Sequence, residues 1–232
     1  MKIGILQTGH IAPEFQPTRE DFDTMFAQLL NGYGFEFVSY DVENMVFPEA
    51  PQDCDGWLIT GSRHGVYEDH TFIAPLEQFI RDIYVADIPL VGICFGHQIV
   101  AQALGGTVVK FDGGWALGRH EYTLAGGQTV VLNAWHQDQV IALPEVATRL
   151  AASPFCENAI LAYGNRAFTV QAHPEYSNDL IRDYVTVRRG TGTYPDDRMT
   201  QAEANTTLPT DDAKLAKAIA QFFLTRTSHV EA

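Results

Sequence analysis

The sequence predicts an α/β chain: a three-layer sandwich with a mostly parallel central sheet and an antiparallel extension. In the first hundred residues, short apolar runs alternate with segments of helical period, as in strand–helix–strand units whose strands are buried on both faces. Beyond Gly106 the texture changes to closely spaced strand-like runs separated by Gly or Asn turns, the pattern of antiparallel strands. Between the two regimes, "IPLVGIC" runs into "FGHQIVAQALGG" with no loop at all.

Each element follows from local pattern. "KIGILQT" (2–8), "FEFVSYD" (35–41) and "GWLITG" (56–61) read as central strands. Between the first two, "REDFDTMFAQLLNGYG" sets Phe22, Met25, Phe26, Leu29 and Leu30 at helical spacing and stops at Gly32 and Gly34. "FIAPLEQFIRDIYVAD" (72–87) repeats the helical pattern, "IPLVGIC" (88–94) is a buried strand, and the next helix closes on a glycine pair. "GTVVKF", "RHEYTLA", "QTVVLNA", "AILAYG" and "AFTVQAH" form the expected antiparallel extension. The tail holds a helix-like "LIRDYVTVRR", a polar stretch "GTGTYPDDRMTQAEANTTLPTDD" and an amphipathic "AKLAKAIAQFFLTR". No repeat or linker divides the chain. It reads as one domain over 1–232, with a core over about 1–190 and a helical tail over about 191–232.

Composition narrows the function classes. A hydrophobic fraction of 46% supports a substantial core, and a net charge of −14 opposes binding to nucleic acid or anionic lipid. The N-terminus "MKIGILQTGH" carries no apolar run before a cleavage site, and no segment approaches the ~18 apolar residues that cross a bilayer. A cytoplasmic protein without membrane or nucleic-acid partners is expected. Cys54, Cys94 and Cys156 have neither disulfide-framework nor CxxC spacing. His10, His70, His120 and His229 lack metal-ligand spacing, "HEYTL" is not H-E-x-x-H, and no phosphate-loop motif is present. Neither a metal nor an organic cofactor is expected.

Cys94 stands apart from the other two cysteines. In Gly92-Ile93-Cys94-Phe95-Gly96 a strand ends and a helix begins at the same residue, the cysteine counterpart of the G-x-S-x-G nucleophile elbow. A turn this tight excludes Cβ atoms at the flanking positions and places the sulfur at a helix N-terminus, where the dipole favours an anion. The Phe95 N–H is then available to an oxyanion. A candidate base lies in "TVQAHPEYS": His173 and Glu175, at i and i+2, share a face, so the carboxylate can orient the imidazole, while Pro174 ends strand pairing. A buried packing cysteine is the alternative reading. His97 serves either to pack beneath the strand or in catalysis, and His136 and Asp138 are candidates for shaping the pocket.

Taken together, "GICFGHQ" and "AHPE" resemble the motifs of the class I glutamine amidotransferases, and the resemblance extends over roughly residues 1–180. It implies a flavodoxin-like fold of that family and a Cys94–His173–Glu175 triad that cleaves a γ-glutamyl amide without a cofactor. "DGWLITGSRHGVYED" resembles the family's oxyanion loop, which implies an oxyanion hole from Gly61 and Phe95. "WHQDQV" resembles its glutamine-contacting segment, which implies substrate contacts from Gln98, Trp135 and Gln137. The chain departs from the family in having Ser62-Arg63 where Gly-Pro is frequent, and in Trp135 and Ala172. Ser62 and Arg63 are therefore candidate substrate contacts particular to this chain, with His64 beside them.

"DGWLITGS", "GICFGHQI", "ALGG" and "GWALG" also resemble the stand-alone γ-glutamyl peptidases. Three readings remain open: a glutaminase serving a separate synthetase subunit that accepts ammonia, a self-sufficient peptidase, or a non-catalytic interaction module. The stretch after Glu175 is too short for an acceptor domain of ordinary size. The small-molecule substrate is glutamine or another γ-glutamyl compound. In the peptidase reading, Arg63 and His64 bind the carboxylate of the departing amino acid or peptide.

Overall fold

Residues 1–230 are described by a computed structural model. The parallel half of the molecule begins with β1 (Lys2–Gln7), α1 (Phe22–Leu29), β2 (Glu36–Asp41), β3 (Gly56–Ile59), α2 (Ile73–Val85), β4 (Leu90–Ile93) and α3 (Phe95–Ala103). Then come β5 (Thr107–Lys110), β6 (Ala116–Leu124), β7 (Thr129–His136), β8 (Asp138–Ala142), β9 (Thr148–Ala152), β10 (Ile160–Tyr163) and β11 (Ala167–Val170). The chain continues through α4 (Asn178–Arg188), α5 (Asp196–Asn205) and α6 (Asp212–Thr225).

Nine strands form one sheet in the order β2-β1-β3-β4-β11-β10-β9-β6-β7. The first five are mutually parallel, and the rest continue antiparallel. Strand alternation sends Ile3, Ile5, Leu58, Val91, Ile93 and Phe168 to one face, where α1 and α6 cover them. Leu6, Trp57, Ile59 and Leu90 go to the other face, under α2 and α3. This is the three-layer sandwich expected from the sequence. From α6, Leu215, Ile219, Phe222 and Phe223 enter the first of these layers. No helix among the described residues is long and apolar enough to cross a membrane.

Three local expectations need correction. The run "AFTVQAH" becomes β11, which lies parallel to β4 and antiparallel to β10, so it joins the parallel half rather than the extension alone. All four of its residues are buried, as a strand wedged between two neighbours requires. The run "GTVVKF" becomes β5, which leaves the main sheet to pair with β8 in a two-stranded ribbon. The polar stretch after residue 190 contains α5, whose inward face consists of only Met199 and Ala202. Two apolar contacts in ten residues give too little period to detect. α5 approaches β6 at Gly118, where a Cβ would stand 2.8 Å from that of Ala202.

The carboxyl ends of β1, β3 and β4 deliver Thr8, Gly61 and Cys94 to one rim of the sheet, where open parallel sheets place their sites. Backbone approach there is close. A Cβ on Gly92 would lie 2.4 Å from the Gly96 carbonyl oxygen, and one on Gly96 would lie 2.4 Å from that of Ile59. Neither neighbour is a flexible side chain that can step aside. Gly96→Ala is therefore expected to lower stability by ~2 kcal/mol or more, read from urea denaturation, whereas Cys94→Ser leaves the midpoint nearly unchanged.

Candidate active site

The site is built around a backbone conformation that ordinary residues avoid. Cys94 has φ 53° and ψ −102°, and such strain, on the order of 1–3 kcal/mol, persists only where surrounding contacts enforce it. Its N–H donates to Val170 O at 2.9 Å, Gly96 N–H donates to Thr60 O at 3.1 Å, and Gln98 N–H returns to Cys94 O at 3.0 Å. The elbow is thus pinned from β11, from the end of β3 and from its own helix. Between the two bonded amides lies the Phe95 N–H, which as the first helical amide has no acceptor within α3.

His173 arrives from the loop after β11. Its N–H donates to Asn133 O at 2.8 Å, which binds the loop to β7. Asn133 also donates through Nδ2 to Tyr176 O at 2.8 Å and to Asn178 Oδ1 at 3.1 Å, so one buried amide spans the whole His-Pro-Glu-Tyr turn. Nδ1–H of His173 donates to Glu175 Oε1 at 2.6 Å, with both side chains almost wholly covered. Tyr176 stacks on the ring at 3.9 Å. Gly61 completes the convergence: a Cβ on it would lie 3.0 Å from His173 Cε1 and 3.8 Å from Cys94 Cβ.

Electrostatics distinguish His173 from its neighbours. Burial pushes its pKa down, but Glu175 and the Cys94 sulfur pull it up more strongly, from 6.5 to about 10. His97 and His136 lack such partners, and burial takes both down to about 3. His97 is hydrogen-bonded with Thr169 Oγ1 at 2.8 Å beneath the strand, away from the cavity, while His136 Nδ1–H donates to Asp138 O at 3.1 Å on the cavity wall.

A cavity of about 330 Å³ opens over Cys94 and His173, within the range of small-molecule sites. Of the sequence-selected residues, Ser62, Arg63, Gln98, Trp135 and Gln137 all line it. Phe95 and Gly61 lie beneath, both buried. Gln98 Nε2 donates to Asp138 O at 2.9 Å and to Gln171 Oε1 at 3.1 Å, and Gln137 Nε2 donates to Phe111 O at 3.1 Å. Arg63 is 71% exposed and paired with Glu43 at 3.2 Å, and the same carboxylate accepts from His64 Nε2 at 2.8 Å. The positive charge of Arg63 is therefore directed toward Glu43.

Several cavity residues were not among the site residues selected from the sequence. Trp115, Tyr176, Tyr184 and Tyr194 form an aromatic wall with Trp135, in contacts of 4.7–5.6 Å. Arg188 lies over Tyr184 at 4.7 Å and donates to Tyr194 Oη at 3.0 Å. In the sequence Tyr184 and Arg188 are ordinary members of an amphipathic helix and Tyr194 of a polar loop, while Trp115 stands in "GWALG" and Tyr176 directly after His-Pro-Glu. Asn133 was equally silent, because its work is done on a loop forty residues away.

Comparison with known proteins places the chain in a family. The model of the class I glutamine amidotransferase family matches residues 13–186. A glutamine amidotransferase-like protein of Schizosaccharomyces pombe is 32% identical over 72% of this chain and 71% of its own length. Gamma-glutamyl peptidase 4 of Arabidopsis thaliana is 31% identical over 71% of each. A solved glutamine amidotransferase structure from Thermotoga maritima superposes with a TM-score of 0.71 over 97% of both chains, at 23% identity, which speaks to fold.

The raised pKa of His173 has a definite sign. Because the folded value lies above the unfolded one, the ion pair's contribution to stability is complete below about 6.5 and is lost as pH rises through about 10. Ring resonances of His173 followed by NMR should titrate near 10. Glu175→Gln should move that midpoint down by more than one unit, since it removes the strongest influence raising it. A midpoint near 6.5 in the unmodified protein would contradict the proposed charge state.

Proposed function

Because the chain belongs to the class I glutamine amidotransferase family, we propose that it cleaves a γ-glutamyl amide bond through Cys94, His173 and Glu175 and releases glutamate. The observation that carries this reading is the meeting of a strained strand-to-helix cysteine with a buried His173–Glu175 pair under a glycine lid. Cys94 thiolate attacks the γ-carbonyl, and the tetrahedral oxyanion is received by the backbone N–H groups of Gly61 and Phe95. His173, protonated in the resting pair, gives its proton to the departing nitrogen. The same imidazole then takes a proton from water, which attacks the γ-glutamyl thioester and frees glutamate and the thiolate. Glu175 orients the ring and balances its charge. Gln98, Trp135, Gln137 and Ser62 hold the glutamyl portion. No metal or organic cofactor enters these steps.

Cys94→Ala should lower kcat by a factor on the order of 10⁴ or more while preserving the fold, and His173→Ala should do nearly the same. Glu175→Gln should lose less. A diazo-ketone analogue of glutamine should label Cys94, which lines the cavity, with Cys54 and Cys156 unmodified because neither does. Normal hydrolysis by purified Cys94→Ala, or label mapped to another cysteine, would remove the proposed nucleophile.

The leaving group distinguishes two versions of the activity. Ammonia passed to a separate synthetase subunit needs little room, whereas an amino acid or peptide needs an open, chemically matched space. The cavity favours the second version, a γ-glutamyl peptidase, because beside His173 it offers both an aromatic wall and Arg188. Since the proton donor stands next to the leaving nitrogen, the part of this wall beyond Trp135, formed by Trp115, Tyr184 and Tyr194, is assigned to the departing part. Arg188 suits its carboxylate better than Arg63 because it is the less exposed of the two and its pairing with Glu14, at 3.6 Å, is longer than the 3.2 Å pairing of Arg63 with Glu43. The isolated chain should hydrolyse γ-glutamyl dipeptides, and Arg188→Gln should raise KM for them roughly tenfold with little change for glutamine. Arg63→Ala should have the smaller effect. Efficient glutamine turnover without dipeptide cleavage would sink this version, and inactivity on both would favour the synthetase partner.

A further inference from the structure

The loop that leaves Gly61 returns to α2 through Ser62-Arg63-His64-Gly65-Val66-Tyr67-Glu68-Asp69-His70-Thr71-Phe72. Successive backbone bonds fold it tightly: Glu68 N–H to Gly65 O, His70 N–H to Glu68 O and Ile73 N–H to His70 O, at 3.0 to 3.1 Å. These turns bring His64, Glu68 and His70 together, with one ligand atom from each lying within 4.8 Å of the others. Glu68 Oε2 is 2.9 Å from His70 Nε2 and 3.9 Å from His64 Nδ1, and the two imidazole rings are 4.0 Å apart at 51°. Ligands on a tetrahedral ion at 2.0–2.2 Å stand ~3.3 Å from one another, so small side-chain rotations suffice to close on one.

A second observation concerns His64 alone. Its Nε2–H donates to Glu43 Oε1 at 2.8 Å, and that carboxylate is only 13% exposed. In a neutral ring this fixes the Nδ1 lone pair toward Glu68 and His70. A carboxylate behind a ligating imidazole is the usual outer shell of a metal-bound histidine, where it sets tautomer and ring orientation. Glu68 Oε2 lies between the two rings, within reach of a nitrogen of each, so the three groups already converge on one point. The chain's net charge of −14 adds to the attraction for a cation. Two imidazoles with one carboxylate suit zinc-class ions rather than Mg²⁺ or Ca²⁺, which favour oxygen shells.

We infer that His64, Glu68 and His70 bind one divalent transition-metal ion of the zinc class at the rim of the cavity over Cys94, with Glu43 as the outer carboxylate. Binding through His70 Nε2 places the ring proton on Nδ1, so the ligating imidazole stays neutral, and replaces the His70–Glu68 hydrogen bond. Three protein ligands leave the fourth position to water. Since the loop begins at Gly61, and His64 and Glu68 line the cavity, the ion fastens the segment beside the reacting sulfur.

The test uses full-length Cys94→Ser protein, so that the reactive thiol cannot supply the metal site. After dialysis against Zn²⁺ it should carry one ion per chain, and Co²⁺ in its place should give the visible absorption of a low-coordinate site. Titrated by calorimetry, His64→Ala and His70→Ala should each weaken binding at least tenfold, and Glu43→Gln should do so ~10-fold without removing a ligand. Amide exchange over residues 62–72 should slow on adding Zn²⁺ in Cys94→Ser but not after the further change His70→Ala. His70 is partly exposed and its one core contact is the stacking on Phe72 at 5.9 Å, so thermal unfolding of His70→Ala is measured alongside to show that the fold is intact. Absence of bound ion in Cys94→Ser, or affinity unaffected by His70→Ala, overturns the assignment.

Discussion

The backbone of Cys94 is held at a positive φ that its own side chain disfavours, and the packing of three chain segments follows from that constraint. The Val170 carbonyl ties the residue to β11, and the Thr60 carbonyl ties the next turn of backbone to the end of β3. Gly92 and Gly96 allow α3 to lie directly on strand backbone, at a separation no Cβ would permit. Strain at one residue is thus balanced by contacts spread over β3, β4, β11 and α3. The sulfur is presented at the helix N-terminus by rigid structure rather than by a mobile loop, which limits the reorganisation left for chemistry.

Charge is distributed around the elbow with equal selectivity. Three buried histidines approach Cys94, and the same burial acts on all of them. His97 and His136 have only neutral hydrogen-bond partners, the Thr169 hydroxyl and the Asp138 carbonyl, and are held neutral, whereas His173 faces a carboxylate and keeps its proton. The cost of a buried ion is met by pairing, and the pair is confined to the position where it can act on the sulfur. Asn133 maintains this arrangement without touching the reacting atoms, because it fixes the turn on which His173 and Glu175 stand.

The variable parts of the site lie on additions to this frame. α4, the loop after it and β7 supply an aromatic and cationic wall, and the loop after Gly61 supplies a cluster of histidine and carboxylate at the rim. Both are attached at residues next to the catalytic candidates: Tyr176 stacks on His173, and Ser62 follows Gly61. A substitution in either can therefore alter substrate choice or loop mobility while the elbow stays fixed, as expected where function is carried by segments set on a rigid scaffold.

The sequence alone determined the layer architecture, the elbow at Cys94 and the pairing of His173 with Glu175, because each rests on local rules. Strand and helix periods extend over a few residues, glycine spacing reports close backbone approach at the turn, and i, i+2 neighbours share a face. It also singled out Gly61, Gln98, Trp135 and Gln137 through motif resemblance. Tertiary structure decided the rest. The position of β11 beside β4, the departure of β5 into a ribbon and the presence of α5 depend on partners distant in the chain. Long-range pairing likewise turned Arg63 toward Glu43, brought Arg188 to the cavity and gathered His64, Glu68 and His70. A side chain's charge and donors can be read from its residue type, but the groups it meets are set by how the whole chain packs.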